Sequence, residues 1–441
     1  MHTLTDRRRH DREILALAVP AFGALVAEPL FLMADSAIVG HLGTAQLAGL
    51  GVASAALTTV TGLFIFLAYA TTAAVARRIG AGDRRAAIQQ GIDGIWLSLI
   101  LSAVMVALTL ALAPEAATAL GASPTAAPYA VTYLRISALG VPAMLLVMAA
   151  TGVLRGLQDT RTPLVVAVAG FGANLLLNVG LVYGANLGVA GSAWGTVLAQ
   201  TGMAAAYVAV VVRGARREGA GLRPNVEGIK ACARTGGPLL VRTLSLRVVL
   251  LIATAVAAHL GDAEVAAHQI TMTVWIFVAF AMDAIAIAGQ AIIGRYLGAA
   301  DVPGTRAATR RMIEWGVGSG VLLGLLMVLA RPLYIPLFTS DPAVQQQLST
   351  VLLLAALTQP AGGLVFVLDG VLMGAGDGGY LAWAMFGTLV CFAPAALAVL
   401  LLNGGLLGLW WAMNLFMLVR AAFLALRART GKWLVTGAVR A

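Results

Sequence analysis

The chain has 441 residues, of which 60% are hydrophobic and only 11% charged, with a mean hydropathy of +0.91. Soluble globular domains carry about 45–50% apolar and about 25% charged residues, so this composition excludes a water-soluble fold, and with it a disordered or nucleic-acid-binding chain. The net charge of +10 and pI near 10.3 therefore need an explanation other than an acidic partner, and two cysteines, Cys232 and Cys391, are too few for a disulfide framework or a cysteine-rich metal site.

A spanning helix needs about 20 predominantly apolar residues. Twelve such stretches follow one another, near 14–39, 47–76, 88–112, 128–153, 163–184, 189–212, 237–260, 265–293, 313–330, 348–372, 380–402 and 405–426. Hydrocarbon offers backbone groups no water, so each stretch satisfies its own hydrogen bonds as a helix. The runs are too long for barrel strands and lack a period of two. The expected fold is thus an all-α integral membrane protein of twelve transmembrane helices. The first stretch follows Arg12-Glu13 without a small-residue cleavage site after it, and reads as a retained helix rather than a signal peptide.

Charge placement accounts for the basic pI. The N-terminal tail, the 2–3, 4–5, 6–7 and 8–9 connections and the C-terminal tail, in which Arg420 is counted, hold 25 of the 29 cations. The opposite side has Arg331 alone, while Arg135, Arg242 and Arg247 fall within spans. Positive residues accumulate on the cytoplasmic side, which predicts both termini in the cytoplasm and a multi-pass protein of the inner (plasma) membrane. The lipid bilayer is the expected partner, with no nucleic acid, and the chain reads as a monomer.

Shifting the sequence by 218 residues brings rare residue types into register. Pro20 meets Pro238, His41-Leu42-Gly43 meets His259-Leu260-Gly261, and Arg77, Gly80 and Asp83 meet Arg295, Gly298 and Asp301. Gly152-Val153-Leu154 likewise meets Gly370-Val371-Leu372. Four of the six prolines within 20–159 land on prolines, where chance gives about 0.2, so the chain is a duplication. Each half holds an even number of spans and inserts with the same orientation, a parallel repeat typical of secondary transporters. The expected organisation is a tail at 1–13, an N-lobe at 14–212, a basic inter-lobe linker at 213–236, a C-lobe at 237–426 and a tail at 427–441.

Charges at bilayer depth are costly and each asks for a reason. The first span carries Glu28, Pro29 and Asp35; Pro29 removes a backbone donor and is expected to bend the helix. Asp93, Arg135, Arg242 and Asp283 read as partners that hold helices in place. Asp35 reads differently, because its repeat counterpart is Ala253 and the fold needs no acid there. Asp369, opposite Thr151, and Glu28, opposite Leu246, admit either a structural or a functional role. Asn174 and Asn178 share a helix face, with Thr196 in the next span; these groups suit either interhelical bonding or a proton or cation held near Asp35. The turns at Gly80–Asp83 and Gly298–Asp301 lack the phosphate-loop spacing. His41, His259 and His268 are not spaced as metal ligands, and His41 and His259 are expected to cap outer turns.

Several ordered motifs resemble those of the MATE (multidrug and toxic compound extrusion) transporters. They are Glu28-Pro29-Leu30 with Asp35-Ser36-Ala37-Ile38-Val39-Gly40-His41-Leu42-Gly43, Ala76-Arg77-Arg78-Ile79-Gly80-Ala81-Gly82-Asp83, and Gly152-Val153-Leu154-Arg155-Gly156. Ala266-Ala267-His268-Gln269-Ile270, Met282-Asp283-Ala284-Ile285 and Leu368-Asp369-Gly370-Val371-Leu372 are similar to the DinF-like branch. The resemblance implies two six-helix lobes and secondary active efflux of amphiphilic, often cationic, drug-like compounds by alternating access. It carries a cation-coupling site onto Asp35, Asn174, Asn178 and Thr196, with Glu28, Pro29, Asp283, Asp369 and Arg242 as supporting or cleft residues. Some members have a second acid where this chain has Asn178, and an acid of the NorM branch falls at Leu246. Both departures lean toward H⁺ rather than Na⁺ as the coupling ion, with no cofactor. A Na⁺-coupled or organic-acid exporter and a lipid-linked precursor flippase stand as alternatives. No nucleophile or metal motif points to an enzyme.

Overall fold

The structure is a computed structural model that describes residues 4–439, and their side chains apart from residues 4–6 and Glu28. Among the described residues there are helices and turns but no strand. The helices are α1 (Leu4–Gly40), α2 (Thr44–Phe64), α3 (Phe66–Gly80), α4 (Arg84–Ala119), α5 (Ala127–Ala138), α6 (Val141–Gly156), α7 (Arg161–Val179) and α8 (Gly188–Glu218). They continue as α9 (Val226–Leu260), α10 (Asp262–Gly298), α11 (Val302–Leu329), α12 (Arg331–Phe338), α13 (Pro342–Leu357), α14 (Gln359–Gly374), α15 (Gly378–Leu401) and α16 (Gly405–Thr430). Among the described residues ten uninterrupted stretches are long and apolar enough to span a membrane, and the bent pairs α5–α6 (53°) and α13–α14 (48°) bring the number to twelve if each is one span. The two bends are repeat mates, which hydropathy alone does not reveal.

The 218-residue shift recurs in three dimensions. Gly43 and Gly261 both have φ near +140° (141° and 144°) ahead of α2 and α10. Only glycine adopts that conformation without strain. Asp83 and Asp301 both cap a helix N-terminus, accepting from Ala86 and Gly304 amides at 2.8 Å. His41 and His259 each donate an Nδ1 proton to the carbonyl four residues earlier, of Ala37 and Ala255, at 2.7 and 2.8 Å. Each ring thus folds back onto the last turns of its own helix, α1 or α9. Gly152 lies on the Ala68 carbonyl of α3, and Gly370 on that of Ala286 in α10, so close that a methyl group on either would overlap the backbone.

The chain forms two compact units, one of Gly23–Gly236 and one of Met1–Phe22 with Gly237–Ala441. Each unit thus contains the opening segment of the other's first helix. Residues expected as a tail are already helical from Leu4. Asp11 accepts from Arg311 (2.6 and 2.9 Å) and Trp315 (2.7 Å), and Glu13 pairs with Arg295 and accepts from Tyr296 (3.1 Å). The segment expected as a linker is also mostly helical. Residues 213–218 extend α8 to a left-handed Gly219 (φ 67°), and α9 begins at Val226. It packs on α4: Trp96 donates to the Leu222 carbonyl at 3.0 Å, Gln90 to Cys232 Sγ at 2.9 Å, and buried Asp93, which accepts from Gln89 at 3.3 Å, lies against Gly228 in the first turn of α9. Asp93 therefore receives a helix start rather than an opposite charge alone.

The close approach at Gly370 sets a test. Gly370→Ala is expected to destabilise the detergent-solubilised protein by about 1–3 kcal/mol, as overpacking does. Gly379→Ala, where the added carbon meets open space, should leave the thermal midpoint unchanged.

Candidate coupling site and buried charge cluster

In the unit of Gly23–Gly236, α1, α5, α7 and α8 bring one carboxylate together with neutral donors. Asp35 is 4% exposed. Its Oδ1 accepts from Ser192 Oγ at 2.6 Å and from Asn178 Nδ2 at 2.8 Å, and the Tyr133 hydroxyl lies nearby. Asn174 donates to Thr196 Oγ1 at 3.1 Å, and Thr196 donates to the Ser192 carbonyl at 3.1 Å. The three residues expected around the acid are thus brought together with it, Asn178 directly, Thr196 through Ser192 and Asn174 through Thr196. The side-chain oxygens of Asn174 and Asn178 have no protein donor.

Local structure explains the assembly. Ser192 and Thr196, one turn apart, share a face of α8, and Asn174 and Asn178 share one of α7. Gly195 leaves room for Asn178, since a side chain there would collide with its amide oxygen. Beyond Asn178, α7 widens into a π-helical turn at Gly180–Gly184, and Tyr183 in that turn donates to the Ile38 carbonyl near the end of α1. Such turns recur beside functional sites. Helix α1 runs through Pro20 and Pro29 without interruption, while the side chain of Glu28 lies outside the described residues. Ser192 and Tyr133 were not anticipated. The one sequence signal for Ser192 is its four-residue spacing from Thr196.

The other unit holds a different cluster. Asp369 of α14 accepts on Oδ2 from both Arg242 of α9 and Arg420 of α16, and all three are buried. Arg420 belongs to the interior of α16 and not to the C-terminal tail where its basic neighbours Arg427 and Arg429 placed it. Asp283 is half-buried in α10, and Arg135 is exposed in α5.

Each lobe is a control for the other. By the 218-residue shift, the positions of Asp35, Asn174, Asn178, Ser192 and Thr196 hold Ala253, Phe392, Ala396, Trp410 and Asn414. Those of Arg242, Asp369 and Arg420 hold Ala24, Thr151 and Gly202. The same helix packing forms without either cluster, so neither is imposed by the fold. No group of three or more His, Cys, Asp or Glu with metal-holding geometry occurs among the described residues.

Comparison with known proteins gives a consistent result. Residues 20–179 and 238–398 match the MatE family model, one match in each half. Protein DETOXIFICATION 44, chloroplastic, of Arabidopsis thaliana is 31% identical over 439 residues, covering 96% of this chain and 83% of that protein. DNA damage-inducible protein F of Escherichia coli (strain K12) is 28% identical over 438 residues, covering 96% and 94%. Among solved structures, a MATE in the bent conformation superposes with a TM-score of 0.89 at 23% identity, covering 97% of both chains. The Vibrio cholerae MATE transporter VcmN in its bent form gives 0.87 at 22%, covering 97% of this chain and 98% of that one. At these identities the superpositions speak for the fold.

The two acids should respond differently to neutralisation. Asp369→Asn leaves Arg242 and Arg420 without the carboxylate they share, and is expected to cost about 3–5 kcal/mol. Asp35→Asn removes a charge from among neutral groups and should fold and insert like the parent. Thermal stability followed by fluorescence-detected size exclusion compares them; equal losses would contradict the two environments.

Proposed function

The chain belongs to the MatE family of multidrug and toxic compound efflux transporters, and on that premise we propose that it exports small organic compounds in exchange for H⁺, with Asp35 carrying the proton. The protein is a multi-pass membrane transporter and not an enzyme. The observation that carries the proposal is Asp35 itself, a deeply buried carboxylate whose described partners, Ser192, Asn178 and Tyr133, are all neutral. Such an acid can change charge without removing a counterion from a buried cation. Asp369 cannot, because neutralising it would take from two buried arginines the anion they share. Arg242 and Asp369 then act as an ion cluster that holds α9, α14 and α16, with Arg420 as the third member.

Protonation of Asp35 from outside removes the acceptor charge on which α5, α7 and α8 converge. The donors of Ser192, Asn178 and Tyr133 are then free to re-pair, and α1 to shift against them. A ligand biases two states only by its differential affinity for them, so the proton and the substrate must prefer opposite states of this shell. Amphiphilic, drug-like compounds are the proposed cargo, moved out across the plasma membrane by a chain whose termini both face the cytoplasm. A second reading, Na⁺ coupling, is favoured by the two amide oxygens of Asn174 and Asn178 that lack protein donors beside the carboxylate.

Proteoliposomes with independently imposed ΔpH and Na⁺ gradients test both. Export of an organic cation such as ethidium should follow ΔpH, and Asp35→Asn should abolish it while the protein remains folded. Transport that persists in that variant would sink the assignment of Asp35, and transport that follows only a Na⁺ gradient would select the second reading.

A further inference from the structure

Three successive buried neighbours in the C-lobe carry polar atoms that no protein group meets. The rings of His268 in α10 and Trp410 in α16 have centroids 5.9 Å apart. Asn414 follows Trp410 by one turn on the same face of α16. The three are 0%, 1% and 3% exposed. Both imidazole nitrogens, the indole N–H and both polar atoms of the Asn414 amide lack a hydrogen-bonding partner in the protein. One dry orphan is tolerated in a helix bundle, but five on adjoining side chains are not, because each forfeits its hydration with nothing in return.

The chemistry of the five atoms selects the occupant. The indole, the amide and one imidazole nitrogen donate, while the other imidazole nitrogen and the amide oxygen accept. Water both gives and takes hydrogen bonds and typically makes about three of them when buried. A metal ion is a poor match, since the set has no carboxylate or thiolate and too few lone pairs. An anion would leave the acceptors unmet.

The location has a meaning in the repeat. Trp410 and Asn414 stand at the positions of Ser192 and Thr196, and Ala253 at that of Asp35. The N-lobe counterpart of His268 is Leu50, which packs in an apolar cluster with Val39 and Ala53. We infer that His268, Trp410 and Asn414 form a buried water site in the C-lobe, the counterpart of the Asp35 site, in which ordered water bridges the imidazole to the indole and the amide. The water gives His268 a hydrogen-bonded partner for proton exchange inside the bundle. The inference stands on this cluster alone and holds whether or not Asp35 carries the coupling proton.

X-ray radiolytic labelling of the full-length protein in lipid nanodiscs, read by mass spectrometry, tests it, because hydroxyl radicals formed from bound water oxidise the side chains beside that water. Trp410 and His268 are expected to be labelled several-fold faster than Phe392 and Phe416, which are equally buried and pack against each other in an apolar contact. Labelling of Trp410 as slow as that of the two phenylalanines would overturn the inference. In Asn414→Leu, which removes two of the polar atoms, Trp410 labelling should fall toward the phenylalanine rate; unchanged labelling in the folded variant would show that these residues do not hold the water.

Discussion

The hydrocarbon interior offers no water to a polar group, and the structure is organised by that deficit. It makes every long apolar stretch a helix, since only i to i−4 bonding satisfies the backbone within one segment. It also governs the small polar side chains inside. Thr72, Thr243, Thr271 and Thr388 each return a hydroxyl to the carbonyl one turn earlier, so a hydroxyl can lie in the bundle at little cost. The same requirement makes the charged groups conspicuous. Asp35 is met by neutral donors and Asp369 by guanidinium groups, and these two ways of keeping a carboxylate in the membrane have opposite consequences for letting its charge go.

Duplication separates what the scaffold requires from what was added to it. Positions that agree across the 218-residue shift are those of turns, caps and close backbone approaches: Gly43 and Gly261, Asp83 and Asp301, Gly152 and Gly370. Positions that disagree hold the chemistry. The N-lobe keeps a carboxylate where the C-lobe has Ala253, and the C-lobe keeps an ion cluster where the N-lobe has Ala24, Thr151 and Gly202. Two copies of one helical frame thus carry different polar cargo.

Much of this is legible in the sequence, for physical reasons that also mark where legibility ends. Hydropathy and the repeat foretell the spans, and Asp35, Asn174, Asn178 and Thr196 stand out because amides and acids are rare in apolar runs. Ser192 and Tyr133 do not stand out, because a hydroxyl in a helix can satisfy itself locally and leaves no signature of its tertiary partner. Arg420 is hidden by its basic neighbours at the end of α16, and only packing shows that it turns inward to Asp369. The paired bends at α5–α6 and α13–α14 leave hydropathy unbroken. The helical opening of α1 is invisible for a different reason: its partners lie 282 and 300 residues away, at Arg295 and Arg311.

That last separation has a consequence for how the protein is made. Asp11 and Glu13 leave the ribosome long before the side chains that receive them, which belong to α10 and α11. At about 5–20 residues per second, the opening of α1 waits roughly 15–60 s for them. The unit of Gly23–Gly236 is complete once the start of α9 has emerged, so it can close while the rest is still being translated. The other unit cannot, because the opening of α1 must wait for α10 and α11 to follow it. Assembly of this transporter therefore waits on helices made long after the one they receive.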